Sequence, residues 1–581
     1  MKGAVLGAST VLVVAVIAAV CVVSYKGYSG NADDGDGEMS ASVKSIRSFC
    51  QPVDYRETCE RALKAAAGNA TSPMDLAKAI FKVTSDRIEK AVRESYVLND
   101  LKRDPRTSGA LRNCKELLDY AIDDLGATFD RLGGFEMTDF KAAVDDLRTW
   151  LSSALTYQET CLDGFEGTAT TDAAAKMRKA LNTSQELTEN ILAIVDEFAD
   201  TLASLNLPSF HRRLLADTGA ASGGAPSWLT GAKRRLLLLH QAPAASPSGS
   251  GSLPEFEPDV TVANDGSGDF KSINAALAKV PTKSATPYVM YVKAGTYKEY
   301  VSVPRNVTNL VMIGDGATET VITGSKSFTM NITTKDTATM EVIGNGFLMR
   351  GIGVENTAGA ENHQAVALRV QSDMSAFYEC RFDGYQDTLY THTSRQYYRD
   401  CVVTGTIDFI FGNAQVVLQN CLIQVRKCMD NQQNIVTAQG RKERRSAGGT
   451  VLHNCTIEPH PEFEESAGKL KTYLGRPWKE HSRTLYIQSD IGGFVDPKGW
   501  LPWLGDFGLS TCYYAEVDNR GEGADTSKRV KWKGVKNITY QHAQEKYTVE
   551  RFIQGQEWLP KLGVPFIPGL LPQNQTGRIH R

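Results

Sequence analysis

Four short stretches decide the fold: Phe377-Tyr378-Glu379-Cys380-Arg381-Phe382, Tyr398-Arg399-Asp400-Cys401-Val402-Val403, Leu418-Gln419-Asn420-Cys421-Leu422-Ile423 and Leu452-His453-Asn454-Cys455-Thr456-Ile457. Each carries a polar pair, then Cys, then apolar alternation, and the cysteines are 21, 20 and 34 residues apart. A unit that recurs about every 20 residues and consists of short strands without helices indicates a solenoid, here a parallel β-helix. The 34-residue interval predicts one coil with a long loop. A sandwich of hairpins would place two-residue Asn-Gly or Asp-Gly turns between paired runs, and no such turn recurs between these repeats.

The same coil length picks out a pair of acids. Asp387, in Gln386-Asp387-Thr388-Leu389, lies 21 residues before Asp408, in Gly405-Thr406-Ile407-Asp408-Phe409-Ile410-Phe411-Gly412. Equivalent positions on stacked strands are about 4.8 Å apart. Two carboxyls that close cannot both ionise cheaply, so one is expected to hold its proton while the other is an anion. Such a pair can divide the work of nucleophile and general acid/base. Most Asp residues in a chain are turn or cap residues, but Asp408 stands in an apolar run, where a carboxylate needs partners. Arg476, in Leu474-Gly475-Arg476-Pro477-Trp478, supplies a two-pronged guanidinium suited to that task. Trp478 offers a flat face for a sugar ring. Gln364, in Gln364-Ala365-Val366-Ala367-Leu368, precedes Gln386 by 22 residues, again about one coil, and paired amide donors suit a developing oxyanion.

Together with Gly295-Thr296-Tyr297-Lys298-Glu299, these segments resemble the pectin methylesterase family over residues 255 to about 565, five motifs in the family's order. The resemblance implies a right-handed parallel β-helix that hydrolyses the methyl esters of homogalacturonan (pectin) to pectate and methanol in the plant cell wall. It implies Asp408 as nucleophile, Asp387 as proton donor, Gln364 and Gln386 as oxyanion donors, Arg476 as the holder of Asp408 and Trp478 as a wall of the sugar groove. Thr334 matches a substrate-contact position, and Cys401–Cys421 is the implied bridge. Met340 departs from the family pattern, where an aromatic residue is common, and Cys380, Cys428, Cys455 and Cys512 are additional thiols with no assigned pairing.

Upstream, residues 42–205 change period. Leu118, Ile122, Leu125, Phe129 and Leu132 fall on one face of a helix, and Leu187, Ile191, Ile194, Phe198 and Leu202 repeat the pattern. Several such helices with short breaks predict an antiparallel bundle. Its four cysteines are Cys50, Cys59, Cys114 and Cys161, and Cys50 with Cys59 would close a short loop. No polar constellation here suggests chemistry, so a binding or folding module is expected. The sequence around those cysteines, Thr58-Cys59, Asn113-Cys114-Lys115-Glu116-Leu117 and Thr160-Cys161-Leu162-Asp163-Gly164-Phe165, is similar to the invertase and pectin methylesterase inhibitor family. That likeness implies a four-helix bundle with Cys50–Cys59 and Cys114–Cys161 bridges, acting as folding aid, retention signal or inhibitor of its own enzyme.

Residues 206–254 form a linker rich in Ala, Gly, Ser and Pro with two dibasic segments, Arg212-Arg213-Leu214-Leu215 and Lys233-Arg234-Arg235-Leu236-Leu237. This composition does not bury enough apolar surface to order itself, and exposed basic sites in a flexible linker are expected targets of a processing protease. At the other end, Gly3 to Tyr25 carries no charge and is flanked by Lys2 and Lys26, long enough for a signal anchor over residues 1–26 rather than the shorter core of a cleaved signal peptide. Either reading sends the chain into the secretory pathway and toward the cell wall. Seven Asn-x-Ser/Thr sequons, at Asn69, Asn182, Asn306, Asn331, Asn454, Asn537 and Asn574, agree with that route.

The chain has 581 residues with 42% hydrophobic and 23% charged, which excludes wholesale disorder and a multi-span membrane protein. Its net charge of −3 gives no reason to expect a nucleic-acid partner. Residues 240–581 hold 36 Lys/Arg against 35 Asp/Glu, so bulk charge alone predicts no strong attachment to polyanionic pectin. No Gly-x-Ser-x-Gly and no His-Glu-x-x-His occurs, and neither a metal nor an organic cofactor is implied.

Overall fold

The computed structural model describes residues 40–97, 104–133, 140–168, 171–204 and 258–573. The apolar segment 1–26, the dibasic linker and Asn574 lie outside the described residues. Among the described residues no helix is long and apolar enough to cross a membrane. The helices before residue 205 and the strands after residue 258 belong to two separate compact units.

The first unit has four long helices, Pro73–Val97, Pro105–Gly133, Phe140–Asp163 and Thr171–Ser204, each packed on the next and the last on the first. Two short helices, Ala41–Phe49 and Arg56–Ala66, precede them. Local sequence sets their starts. Pro73 and Pro105 occupy first-turn positions where no backbone N–H is needed, and Ser72 and Asp104 accept hydrogen bonds from the amides of Asp75 and Thr107. Leu118, Leu125, Leu187 and Ile191 are buried in the bundle core, with Ile122, Phe129 and Ile194 packed at its margin. Each fully buried side chain of this size contributes about 1.5–3 kcal/mol. Disulfides join Cys50 to Cys59 and Cys114 to Cys161.

The second unit is a parallel β-helix. Three parallel sheets of 11, 8 and 7 strands form its walls, and each strand pairs with the equivalent strand of the next coil. The four opening repeats stack in register: Phe377 on Tyr398, Tyr398 on Leu418 and Leu418 on Leu452. The long interval is one coil, whose additional residues lie on either side of the strand Asn434–Gln439. The polar residue before each cysteine, Glu379, Asp400, Asn420 or Asn454, adopts a left-handed backbone with φ between 51° and 57°. It turns the chain from the 11-stranded to the 8-stranded wall and drops the cysteine into the core. One coil further, Gln488 (φ 52°) and Ser489 take the same two places, so the row continues with serine in place of cysteine. Inside, Phe377 stacks on Tyr398 with ring centres 4.7 Å apart. Helices Tyr540–Lys546, Val549–Phe552 and Gly555–Leu562 cover the outer face of the 11-stranded wall.

The implied Cys401–Cys421 bridge is not formed: both are buried free thiols, as are Cys380, Cys428, Cys455 and Cys512. Parallel in-register rungs hold the two residues side by side at about 4.8 Å, a separation that a disulfide can span, so the two cysteines are unbonded neighbours rather than residues kept apart by the rung spacing. The two thiols touch each other across the coils, and each Sγ also faces backbone carbonyls. Cys401 Sγ lies 3.4 Å from the Phe377 oxygen and 3.3 Å from that of Arg399, and Cys421 Sγ lies 3.6 Å from the oxygens of Tyr398 and Gln419.

Candidate active site

The 7-stranded wall gathers the candidate residues. Gln364 precedes the strand Leu368–Val370, Gln386 and Asp387 precede Leu389–Thr391, Asp408 precedes Ile410–Gly412, and Arg476 follows Thr472–Gly475. Leu368, Leu389 and Ile410 stack in register and point into the core. Their neighbours Arg369, Tyr390 and Phe411 therefore point outward. Asp387 and Asp408 stand at matching positions of adjacent coils, where the Asp387 amide donates to the Ile407 carbonyl at 3.0 Å.

Both acids have left-handed backbones, φ 63° at Asp387 and 51° at Asp408. Aspartate tolerates this region better than most residues, at an expense of about 1–3 kcal/mol each. The kink lets Asp408 present its carboxylate to Arg476 while its neighbour Phe409 stays in the core. Asp387 is 8% exposed and Asp408 5%. The Arg476 guanidinium grips Asp408 with Nε at 2.9 Å from Oδ1 and Nη2 at 2.5 Å from Oδ2. Burial pushes the Asp408 carboxyl up and the Arg476 charge pulls it back, the net being a rise above an ordinary aspartate. Arg476 in turn lies over the Trp503 ring, 4.3 Å from its centre.

Gln364 and Gln386 occupy neighbouring coils, linked by the Ala365 amide donating to the Gln386 carbonyl at 3.1 Å. Both are half-buried, and among the described residues no protein partner holds either side-chain amide. Thr334 begins the turn Thr334–Thr337, which reaches the same place because the Thr337 hydroxyl accepts from the Val366 amide at 3.0 Å. Trp478 is half-buried, edge-on to Phe411 at 6.0 Å, with its ring against Gly440. A Cβ at residue 440 would stand 2.7 Å from that ring, so only glycine lets the indole lie there.

The wall carries three aromatic residues beyond those the sequence singled out. Tyr390 and Phe411 stack at 4.2 Å and, with Trp478 and Trp503, form an apolar strip beside the two acids. Tyr390 was within reach of the coil arithmetic, being 21 residues before Phe411. Trp503 sits in an irregular loop and gave no periodic signal. Beyond the strip, Arg369 pairs with Glu341; burial would raise the Glu341 carboxyl, but the Arg369 and Lys335 charges outweigh it and hold it at about 2. Among the described residues no group of three or more His, Cys, Asp or Glu side chains is arranged to hold a metal ion.

A carboxylate fixed by arginine, a second carboxyl one coil away, two amides with unfilled hydrogen-bonding capacity and a flat aromatic strip can together support acyl transfer on an ester carried by a sugar. Comparison with known proteins points the same way. The family model described as Pectinesterase matches residues 259–556, and that described as Plant invertase/pectin methylesterase inhibitor matches residues 44–194. The Arabidopsis thaliana protein named "Probable pectinesterase/pectinesterase inhibitor 21" is 47% identical over 571 residues, covering 98% of this chain and 83% of the relative. "Pectinesterase 2" of the same plant is 41% identical, covering 91% of this chain and 90% of the relative. Among solved structures, the pectin methylesterase from carrot superposes with a TM-score of 0.53 at 47% identity, covering 56% of this chain and all of the carrot chain.

Proposed function

The chain belongs to the pectinesterase family, with a plant invertase/pectin methylesterase inhibitor region ahead of the enzyme region, and from that membership we propose that it hydrolyses the methyl esters of homogalacturonan, with Asp408 as its nucleophile. The observation that carries the assignment of roles is the two-pronged Arg476–Asp408 contact one coil from Asp387. Arg476 favours and orients the anion while burial raises its basicity, so the Asp408 carboxylate acts as a nucleophile more basic than an ordinary aspartate.

One Asp408 oxygen attacks the ester carbonyl carbon of a methyl-galacturonate unit lying on the aromatic strip. The carbonyl oxygen becomes an oxyanion that accepts hydrogen bonds from the Gln364 and Gln386 amides. Collapse breaks the bond to the methoxy oxygen, which takes the Asp387 proton and leaves as methanol. Asp387, now a carboxylate, removes a proton from water, and the resulting hydroxide attacks the acyl carbon. The acyl bond to Asp408 breaks, both acids return to their starting states, and one water has been consumed per methanol and galacturonic acid formed. Trp478 and Thr334 contact the sugar chain.

In this proposal residues 1–26 deliver the chain to the secretory pathway, glycans occupy exposed sequons, and a protease cuts the 206–254 linker. The enzyme then works on cell-wall pectin, with the helical region or a separate inhibitor as its protein partner. The two disulfides of the helical unit support an oxidising route. The test is methanol release from methyl-esterified pectin by the chain and its Asp408→Ala variant, before and after removal of the helical region. Methanol without shortening of the polymer, lost in the variant, is expected; undiminished release by the variant ends the assignment, and chain shortening replaces it with a glycosidase or lyase.

A further inference from the structure

The catalytic acids sit on the 7-stranded wall, but the two turns that carry them are held from behind by a residue of the 8-stranded wall. Arg426 directly follows the strand Leu422–Val425. Its backbone amide donates to the Gly405 carbonyl at 2.7 Å, at the base of the turn leading to Asp408. Its side chain reaches the other turn: Nη2 donates to the Tyr385 hydroxyl at 2.6 Å and Nη1 to the Gly384 carbonyl at 3.3 Å, and the guanidinium carbon lies 3.9 Å from the Tyr385 ring centre. Tyr385 is joined directly to Gln386, which is followed by Asp387. One further bond joins the turns, the Thr406 amide donating to the Tyr385 carbonyl at 2.8 Å, and the Thr388 hydroxyl braces the Tyr385 turn itself by donating to the same carbonyl at 3.2 Å.

The guanidinium is itself aimed. Glu462, from a separate loop, takes both Nε at 2.8 Å and Nη2 at 2.9 Å. Hydrogen bonds from Arg426 hold the Glu462 carboxyl below its usual range despite partial burial, and the pair leaves Arg426 only 17% exposed. A planar fork that binds a carboxylate on one edge while stacking on a phenol is something arginine does and lysine does not.

We propose that Arg426 is a positioning residue for the esterase reaction: it fixes the Gly384–Gln386 and Gly405–Asp408 turns relative to each other, and Glu462 orients it. This rests on the roles given above to Gln386, Asp387 and Asp408. Because two left-handed aspartates and an oxyanion amide must converge on one carbonyl carbon, loss of the clamp misplaces reacting atoms while leaving the aromatic sugar strip intact. The consequence falls on kcat rather than KM, and a misplacement of about 1 Å is enough for a loss of up to 100-fold.

The experiment compares the full chain, produced through a secretory pathway, with Arg426→Ala, Arg426→Lys, Glu462→Gln and Tyr385→Phe, reading methanol release and thermal unfolding. Arg426→Ala is expected to lower kcat about 10- to 100-fold with KM within about twofold, and added guanidinium ion restores part of the loss. Arg426→Lys recovers less than added guanidinium predicts from charge alone, and Glu462→Gln and Tyr385→Phe give smaller losses in kcat. A kcat for Arg426→Ala within about twofold of the parent overturns the proposal, as does a loss that follows the folded fraction and is not rescued by guanidinium. Asp387→Ala and Asp408→Ala run alongside. If they abolish release while Arg426→Ala does not, only the clamp fails; if they too are fully active, the catalytic reading falls and the clamp with it.

Discussion

Arg476 and Asp408 show how one contact sets a working pH. In the proposed reaction the attacking form of Asp408 is the anion, and its fraction grows as pH rises through the folded-state pKa. Burial moves that pKa above the 3.8 of an ordinary aspartate, with Arg476 opposing the rise. The acid limb of the pH profile of kcat/KM therefore lies above the ordinary aspartate range. Replacing Arg476 with Gln removes the opposing charge, so the limb moves to still higher pH and activity at mildly acidic pH falls most. A limb that stays in place or moves toward acid would separate Arg476 from the ionisation of Asp408. At this scale the sequence was informative because acids in apolar runs are rare and the coil length supplied their spacing. It could not show that burial outweighs Arg476 at Asp408, since that depends on how completely Phe409, Ile410 and the neighbouring coil exclude water. Arg426 was invisible for a related reason: it lies on another wall, and no period links it to Asp387.

Glycines and cysteines define the elements that carry this chemistry. Gly412 closes the strand Ile410–Gly412 with φ 127°, and a Cβ there would lie 2.0 Å from the Thr391 carbonyl oxygen. That neighbour is backbone within a paired rung and cannot step aside. Gly412→Ala is expected to destabilise the β-helix by about 2 kcal/mol or more, read as a lowered thermal midpoint. At Gly440 the obstacle is the Trp478 ring, which can tilt. Gly440→Ala should leave stability nearly unchanged and raise KM for pectin several-fold through a displaced groove wall. The cysteine row illustrates what a repeat reveals and what it conceals. The 21- and 20-residue spacings correctly marked stacked coils, because identical turns need a left-handed polar residue before a small buried one. The same spacing sets Cys401 beside Cys421 as free thiols, and spacing alone does not decide whether such neighbours are joined. Peptide mapping without reductant is expected to recover Cys50–Cys59 and Cys114–Cys161 links and alkylated, unlinked Cys401 and Cys421. A recovered Cys401–Cys421 peptide would show that the rungs close enough to bond.

For the whole molecule, composition averaged two unlike units into an unexceptional chain, and only the change of period from helical to coil spacing separated them. The sequons show the limit of reading such a chain locally. Asn69, Asn306, Asn331 and Asn537 are exposed, as a glycan requires. Asn454 has the same Asn-x-Thr pattern, yet it occupies a left-handed turn of the β-helix, only 6% exposed. Its Nδ2, the atom a glycan would take, donates to Asn420 Oδ1 on the previous coil at 2.9 Å, and its Oδ1 accepts at 3.3 Å from Arg520, two coils further on. A glycan on that nitrogen would remove one rung and force a bulky polar chain between coils whose Cys421 and Cys455 are buried. On the proposed secretory route, where sugar transfer would precede folding, a chain modified at Asn454 is expected to fail to stack its coils, whereas an unmodified one folds. Glycopeptide mapping of secreted protein is therefore expected to find Asn454 bare and exposed sequons occupied. Asn454→Gln should lower thermal stability by about 1 kcal/mol through the lost hydrogen bonds without altering the glycan count, and a folded, active form carrying sugar at Asn454 would refute this account of the turn.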